Sequence, residues 1–275
     1  MRPMRPLVRY HGGKWKLAPW IISHLPRHRV YVEPFGGGAS VLLRKPRSYA
    51  EIYNDLDGEI VNLFRMARDH GAELVRVCEL TPFARDEFAH AYDSSADPLE
   101  QARRTLIRAF MGFGSAGASA AQRTGFRANS NRSGTTPAQD WKNYPAHLHS
   151  VIDRLRGVVI ENRCALDVMR AHDCDEALHY VDPPYVHSTR ALRTRAQAYR
   201  HEMTDADHEA LASALIGLRG MVVLSGYRCD LYDRLYATWP RVDVAAQADG
   251  AKARVESLWL SPNAVKQPTL LDGPC

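Results

Sequence analysis

The tetrapeptide Asp182-Pro183-Pro184-Tyr185 combines residue types that could methylate an amino nitrogen conjugated to an aromatic ring. The Asp182 carboxylate and the Pro183 carbonyl can accept the two amino hydrogens, which would turn the nitrogen lone pair toward an electrophilic methyl group. The prolines hold that carbonyl rigidly because their φ is fixed. Tyr185 offers a flat face for a base drawn out of a duplex, a contact worth about 1–3 kcal/mol. We therefore predict that all four residues are catalytic; the alternative is a double-proline turn that only closes a strand.

A second candidate site is the turn Glu33-Pro34-Phe35-Gly36-Gly37-Gly38. Glycine has no Cβ, so this backbone could approach a ligand closely. The turn lacks the full Gly-x-Gly-x-x-Gly dinucleotide pattern, and a plain strand-to-helix turn is an equal alternative. Asp55 follows one strand–helix unit later, where an acidic residue often accepts hydrogen bonds from ribose hydroxyls. Its alternative role is that of a helix N-cap.

These motifs follow short apolar runs that we predict to be strands. The runs cover residues 30–33, 49–53, 158–160, 178–181 and 221–224. Helical patterns alternate with them, one of which begins at a capping box formed by Thr204 and Asp207. Two further runs, 242–246 and 255–260, surround Asp249-Gly250 and predict an antiparallel hairpin at the C-terminal edge. We expect an α/β fold with a Rossmann-like, mostly parallel sheet that binds ligands beyond the carboxyl ends of its strands.

The interval 68–150 interrupts this alternation with helical patterns and a stretch, 112–136, that is rich in Gly, Ser and Arg. We predict a catalytic domain formed by residues 1–67 and 151–275, with an inserted, mainly helical lobe at residues 68–150.

Two segments of the chain are basic and contain no carboxylate. One runs between Glu100 and Asp140, and the other between Asp182 and Glu202, in a chain whose net charge is +5. Solvated loops normally mix both signs of charge, so single-sign segments favour contact with phosphate. The predicted DNA-binding residues are Arg9, Arg108, Arg123, Arg127, Arg132, Arg193 and Arg195.

Several classes of protein are disfavoured. The five cysteines show no Cys-x-x-Cys spacing and no His/Cys cluster accompanies them, so we expect neither a disulfide framework nor a metal site. The sequence has no signal-peptide pattern and no apolar run of membrane-spanning length. We expect a cytoplasmic protein that is not embedded in a membrane.

Four motifs occur in order along the chain: Arg9-Tyr10-His11-Gly12-Gly13-Lys14, the glycine turn, Asn54-Asp55 and the Asp182 tetrapeptide. Their order and spacing resemble the Dam-type (class alpha) DNA adenine-N6 methyltransferases. The likeness extends to Ser225-Gly226-Tyr227 and Glu256-Ser257-Leu258-Trp259, and so spans nearly the whole chain.

The resemblance implies a methyltransferase sheet that uses S-adenosylmethionine to methylate N6 of a flipped adenine in double-stranded DNA. It also implies a bacterial or phage-encoded enzyme of restriction-modification type that acts on DNA as a monomer, and a target-recognition lobe in the predicted insertion. The residues implied to bind the cofactor are Tyr10, Lys14, Glu33, Phe35, Gly36, Gly37, Gly38, Asp55 and Asp182.

The chain departs from the family pattern at three positions. Ala39 replaces the last glycine of the turn, which should perturb the pocket little, and Tyr10 stands where tryptophan is common. Cys164 stands where some relatives carry an acidic residue, which leaves a contact to the target base open as the alternative, and we expect a small buried thiol there. The lobe does not clearly match the hairpin that reads GATC, so that specificity does not carry over.

Three alternative functions remain. Enzymes that methylate cytosine N4 more often place Ser before Pro-Pro-Tyr, and protein-glutamine methyltransferases usually place Asn there, so Asp182 disfavours both. A catalytically silent DNA-binding protein is the third, although the intact Lys14, Asp182 and Tyr185 argue against it.

Overall fold

The computed structural model describes residues 3–115, 117–118, 123–129, 131, 134–189, 200–247 and 253–270. Among these residues, seven strands form one sheet. They are β1 (Val30–Glu33), β2 (Ala50–Asn54), β3 (Val158–Glu161), β4 (Ala177–Val181), β5 (Met221–Gly226), β6 (Arg241–Gln247) and β7 (Ala253–Leu260).

The strand order across the sheet is β3-β2-β1-β4-β5-β7-β6. Strands β1 to β5 pair in parallel, whereas β7 pairs antiparallel with β5 and β6 pairs antiparallel with β7. This arrangement confirms the predicted α/β fold with a mostly parallel sheet and an antiparallel C-terminal edge. The predicted turn at Asp249-Gly250 lies outside the described residues.

Helices flank the sheet. They are α1 (Ala18–Ser23), α2 (Ser40–Arg44), α3 (Gly58–Asp69), α4 (Gly71–Glu79), α5 (Arg85–His90), α6 (Pro98–Met111), α7 (Pro137–Leu155), α8 (Ala165–Ala171), α9 (Asp205–Ile216), α10 (Asp230–Leu235) and α11 (Pro262–Val265). Side chains that accept first-turn N–H groups begin several of them. Asp57 caps α3, and Thr204 with Asp207 forms the predicted capping box of α9.

Alternate residues of the parallel strands are buried on opposite faces of the sheet. Tyr31 and Tyr53 belong to a large core shared with α1–α7, while Val32 and Ile52 pack on the other face against Val168 of α8. A further core lies around α9 and α10. The sheet is therefore covered on both faces, as expected for parallel strands joined by helices.

The helices from α4 to α7 share the core of the sheet. The aromatic rings of Phe110, Trp141 and Tyr144 pack together, and the Trp141 indole donates to the Thr81 carbonyl at 2.8 Å. The predicted domain boundaries at 67/68 and 150/151 fall inside α3 and α7. The division into two domains stays a prediction.

The hairpin of β6 and β7 is longer than the strand beside it. Only Ser257 to Leu260 of β7 pair with β5, whose last residue, Gly226, lies opposite Ser257. The first half of β7 still pairs with β6. That half of the hairpin therefore extends past the carboxyl end of β5.

In the described part of the chain, no helix is both long enough and apolar enough to cross a membrane.

Candidate active site

Three of the predicted motifs meet at one edge of the sheet. The glycine turn follows β1, Asp55 follows β2 and Asp182 follows β4. The chain runs from β1 toward one side of the sheet and from β4 toward the other, so the gap between these neighbouring strands is the usual place for a ligand. A cavity of about 350 Å³ opens there, and all three motifs line it.

The glycine turn is packed between two tyrosine rings. A Cβ on Gly36 would lie 2.2 Å from Cε2 of Tyr53 and 2.9 Å from the Asn54 carbonyl oxygen. A Cβ on Gly37, whose φ is +47°, would lie 2.8 Å from Cε1 of Tyr10. Glycine is therefore required at both positions, and the turn presents bare backbone to the cavity.

Ala39 explains why glycine is common at the end of this turn. Its φ is +50°, in the left-handed region, where a residue with a Cβ is disfavoured by about 1–2 kcal/mol. Ala39 is fully buried and precedes α2, and it is not among the residues that line the cavity.

Asp55 stabilises the glycine turn through a hydrogen bond. Its Oδ2 accepts the Gly37 N–H at 2.7 Å and its Oδ1 accepts the Asp57 N–H at 2.8 Å. The helix α3 is capped by Asp57, so the N-cap alternative for Asp55 is wrong. Burial raises the pKa of Asp55 to about 6, while the two backbone N–H groups act in the opposite direction.

Glu33 joins the end of β1 to α2. Its Oε2 accepts the Tyr31 hydroxyl at 2.7 Å and the Leu42 N–H at 3.0 Å. Burial raises the pKa of Glu33 to about 8, against the effect of these two hydrogen bonds. Glu33 lines the cavity, as do Tyr10, Phe35 and Lys14.

Lys14 lies against the Asp182 tetrapeptide. Its Nζ is 3.1 Å from Oδ2 of Asp182, donates to the Gly12 carbonyl at 3.0 Å and lies 4.7 Å from the centroid of the Tyr185 ring. The other carboxylate oxygen of Asp182, Oδ1, is buried and has no hydrogen bond with the described residues. Burial raises the pKa of Asp182, and the Lys14 ammonium opposes this shift. Because buried acceptors are normally satisfied, Oδ1 is suited to receive a donor from a ligand.

Asp182, Pro183 and Pro184 line the cavity, whereas Tyr185 is not among the described residues that line it. Its hydroxyl donates to Oε2 of Glu256 at 2.8 Å, and its ring meets the ring of Tyr227 at 4.5 Å and 73°. No role was predicted for Glu256 or Tyr227 from the sequence. Both lie in motifs quoted for the resemblance, which was the signal that could have identified them.

Arg108 is not placed for the predicted phosphate contact. It is 4% exposed, binds the Glu59 carboxylate and donates to the Ala91 carbonyl at 3.2 Å. Its neighbours Arg103 and Arg104 bind the Glu100 carboxylate. Arginines in a segment that contains no acidic residue can therefore still form ion pairs, because acidic residues from other parts of the chain lie next to them.

The remaining predicted arginines differ in accessibility. Arg123 is exposed, and its guanidinium lies 5.0 Å from the centroid of the Tyr92 ring. Arg127 is half-buried and donates to the Phe110 carbonyl at 3.1 Å, and Arg9 is also half-buried. Arg132, Arg193 and Arg195 lie outside the described residues.

Cys164 was expected to be a small buried thiol, and this expectation was wrong. The residue is exposed and lines the cavity at the start of α8. Its position directly follows β3, at the same edge of the sheet as the other motifs, which accounts for its access to the cavity.

The comparisons with known proteins agree with this geometry. The sequence model of the D12 class N6 adenine-specific DNA methyltransferases matches residues 10–247. The chain belongs to this family. Membership implies a methyl donor, which the cavity at the glycine turn has the size to hold, since ligand pockets measure about 300–1,000 Å³. No cluster of His, Cys, Asp and Glu that could hold a metal ion occurs among the residues that the structure describes.

Three similar proteins carry related names. The chain is 25% identical over 202 residues to the type II methyltransferase M1.LlaDCHI of Lactococcus lactis subsp. cremoris, with 66% of each chain covered. It is 30% identical over 111 residues to a DNA adenine methylase of Serratia marcescens, covering 37% of this chain and 40% of the relative. It is 26% identical over 195 residues to a DNA adenine methylase of Escherichia coli K12, covering 67% of this chain and 66% of the relative. The matched segments thus span slightly less than two thirds of the first and third relatives and less than half of the second.

Proposed function

We propose that this protein transfers a methyl group from S-adenosylmethionine to N6 of an adenine that is flipped out of double-stranded DNA. The observation that carries the proposal is the buried Oδ1 of Asp182, a residue that lines the cavity, because this oxygen has no hydrogen bond with the described residues. This is where a carboxylate must stand to accept a hydrogen from the target amino group.

The chain has groups suited to each part of the cofactor. The bare backbone of the glycine turn would approach its methionine and ribose portions, with the Tyr10 ring covering the turn. Asp55 already accepts two N–H groups and carries a further lone pair on each oxygen, so it can still accept from ribose hydroxyls. Bound S-adenosylmethionine supplies an electrophilic methyl group on a sulfonium sulfur.

The residues of the tetrapeptide would orient the amino group. Asp182 accepts one of its hydrogens and the Pro183 carbonyl accepts the other, so that the nitrogen lone pair points toward the cavity. Tyr185 stacks on the extruded base. Lys14 neutralises Asp182 and holds its Oδ2, which leaves Oδ1 for the base. Transfer would form a nitrogen–carbon bond and break the sulfur–carbon bond of the donor, whose electron pair would stay on the sulfur as a neutral thioether. The positive charge would then lie on the methylated nitrogen until it loses one proton, and the raised pKa of Asp182 suits it to take that proton.

The helical region between residues 68 and 150 would provide DNA contacts. Arg123 is the exposed candidate among the described residues, and it lies over the face of Tyr92. Phosphate contacts by arginines position a protein on DNA without reading its sequence. We further propose a monomer on DNA and a cytoplasmic location in a bacterium or a phage-infected cell.

The direct test incubates the purified protein with labelled S-adenosylmethionine and genomic DNA from a methylation-free host, followed by nucleoside analysis. We expect label in N6-methyladenine. Label in N4-methylcytosine would contradict the proposed base, and DNA binding without any transfer would indicate a catalytically silent protein.

A further inference from the structure

The Tyr185 ring is held at its hydroxyl end by a residue from a distant strand. The hydroxyl donates to Oε2 of Glu256 at 2.8 Å, across 71 positions of sequence. At the other end, the backbone of Tyr185 follows Pro183 and Pro184, whose φ angles are fixed. The position of the ring is therefore constrained at both ends.

Glu256 is itself fixed by the sheet. It lies in the part of β7 that extends past the carboxyl end of β5, opposite Val244 of β6, and it is 6% exposed. A buried carboxylate on a paired strand has little freedom to move. Through this hydrogen bond, the position of the Tyr185 ring depends on the position of β7.

The residues around Tyr185 connect its ring to β7 a second time. The ring packs at 73° against that of Tyr227, which follows β5, with centroids 4.5 Å apart. Arg254 lies two residues before Glu256, hence on the same face of β7, and its guanidinium is 5.0 Å from the Tyr227 centroid. The pair of tyrosines is thus bound to β7 at two places.

We propose that Glu256 is a positioning residue, which accepts the Tyr185 hydroxyl and so holds in place the ring on which the target base stacks. This inference rests on the proposed function. It assigns to β7 a part in base placement, although Glu256 itself is not among the described residues that line the cavity.

The test compares four variants with the wild type on genomic DNA from a methylation-free host: Glu256→Ala, Glu256→Gln, Tyr185→Phe and the double variant Glu256→Ala/Tyr185→Phe. Removing a buried acceptor or its donor should lower kcat about tenfold, since an unpaired buried group is costly and the ring loses its orientation. The Kd for S-adenosylmethionine should not change. The amide oxygen of Gln can still accept the hydroxyl, so Glu256→Gln should retain most of the activity.

The double variant separates a shared role from two independent ones. Tyr185→Phe also removes the interaction of the hydroxyl with Asp182. If Glu256 acts through the Tyr185 hydroxyl, the double variant should therefore be no slower than Tyr185→Phe alone. Asp243→Asn is the matched control, since it removes an exposed carboxylate from β6 of the same hairpin, and it should leave kcat unchanged. Thermal unfolding of each variant measures any loss of structure. If Glu256→Ala does not fold, Glu256→Leu, which removes the acceptor but fills the space, replaces it in every comparison.

The outcomes distinguish the two proposals. A wild type that transfers no methyl group to DNA overturns the proposed function. An active wild type whose Glu256→Ala variant keeps full kcat overturns the positioning role alone. The positioning role is also overturned if Glu256→Gln is as slow as Glu256→Ala, or if the losses of the two single variants multiply in the double variant.

Discussion

Replacement of Asp182 by Ala should remove catalysis and stability for two separable reasons. The substitution deletes the acceptor Oδ1 and also leaves the Lys14 ammonium, which is 6% exposed, without its carboxylate partner at 3.1 Å. Losing one preorganised polar contact to the reacting group typically costs about 10²–10³ in kcat, or about 2.7–4 kcal/mol. We expect a loss of at least about a hundredfold, with DNA binding preserved.

The stability cost follows from the unpaired ammonium. Breaking a buried ion pair costs about 3–5 kcal/mol, and we expect the lower end, about 3 kcal/mol, because Asp182 retains some exposure and the Gly12 carbonyl still accepts from Lys14. For a chain of this size that lowers Tm by about 6–12 °C. The double variant Lys14→Met/Asp182→Ala removes the stranded charge, so it should regain stability while staying inactive.

The assay pairs single-turnover methyl transfer with thermal unfolding, and Glu51→Ala serves as the control. Glu51 binds Lys45 at 2.7 Å and Arg154 at 2.6 Å near the start of β2, at the edge of the sheet opposite the cavity. Its loss should lower stability at least as much as that of Asp182, yet leave kcat per folded molecule near the wild-type value. Transfer by Asp182→Ala at more than about a tenth of the wild-type rate would refute the assigned role, since one lost acceptor predicts far less.

Three further predictions concern the turn, the basic surface and pH. Gly36→Ala should destabilise the protein by about 3 kcal/mol or more and weaken S-adenosylmethionine binding, because its Cβ would meet the buried Tyr53 ring at 2.2 Å. Gly58→Ala, whose Cβ meets nothing closer than 3.8 Å, is the matched control in calorimetry, and equal Tm values would contradict this packing argument. Arg123→Ala should reduce the slope of log K for DNA binding against log salt concentration by about 0.9. The control is Arg219→Ala, at the edge of the sheet opposite the cavity, which should leave the slope unchanged. A loss of affinity that is the same in titrations at several salt concentrations would exclude a phosphate contact by Arg123. Burial raises the pKa of Glu33 to about 8 in the folded protein, so folding binds a proton between about pH 5 and 8. The stability that protonated Glu33 contributes is therefore present at low pH and is lost as pH rises through about 8. Denaturant unfolding across that range should show a falling stability that Glu33→Gln flattens, and identical slopes for the two proteins would argue against the raised pKa.

The sequence alone predicted which strands end at polar motifs and where those motifs lie in the sheet. Period-2 patterns and helix-capping signals depend on local chain geometry, so the strand at Val30–Glu33 and the capping box of Thr204 and Asp207 were predicted as they are observed. Parallel strands joined by helices place their carboxyl ends at one edge, so the glycine turn, Asp55 and Asp182 could be assigned to one place before any coordinates.

Only the tertiary structure decided which charges and side chains are paired. Arg108 belongs to a segment without acids, but Glu59 reaches it across 49 positions of sequence and buries it. Glu256 and Tyr185 are 71 positions apart and meet because the β6–β7 hairpin extends past β5. Such contacts depend on how separate helices and strands pack, and the spacing of residues along the chain does not specify that packing. The sequence therefore determined the chemistry available at the edge of the sheet, and the packing determined which residues hold it in place.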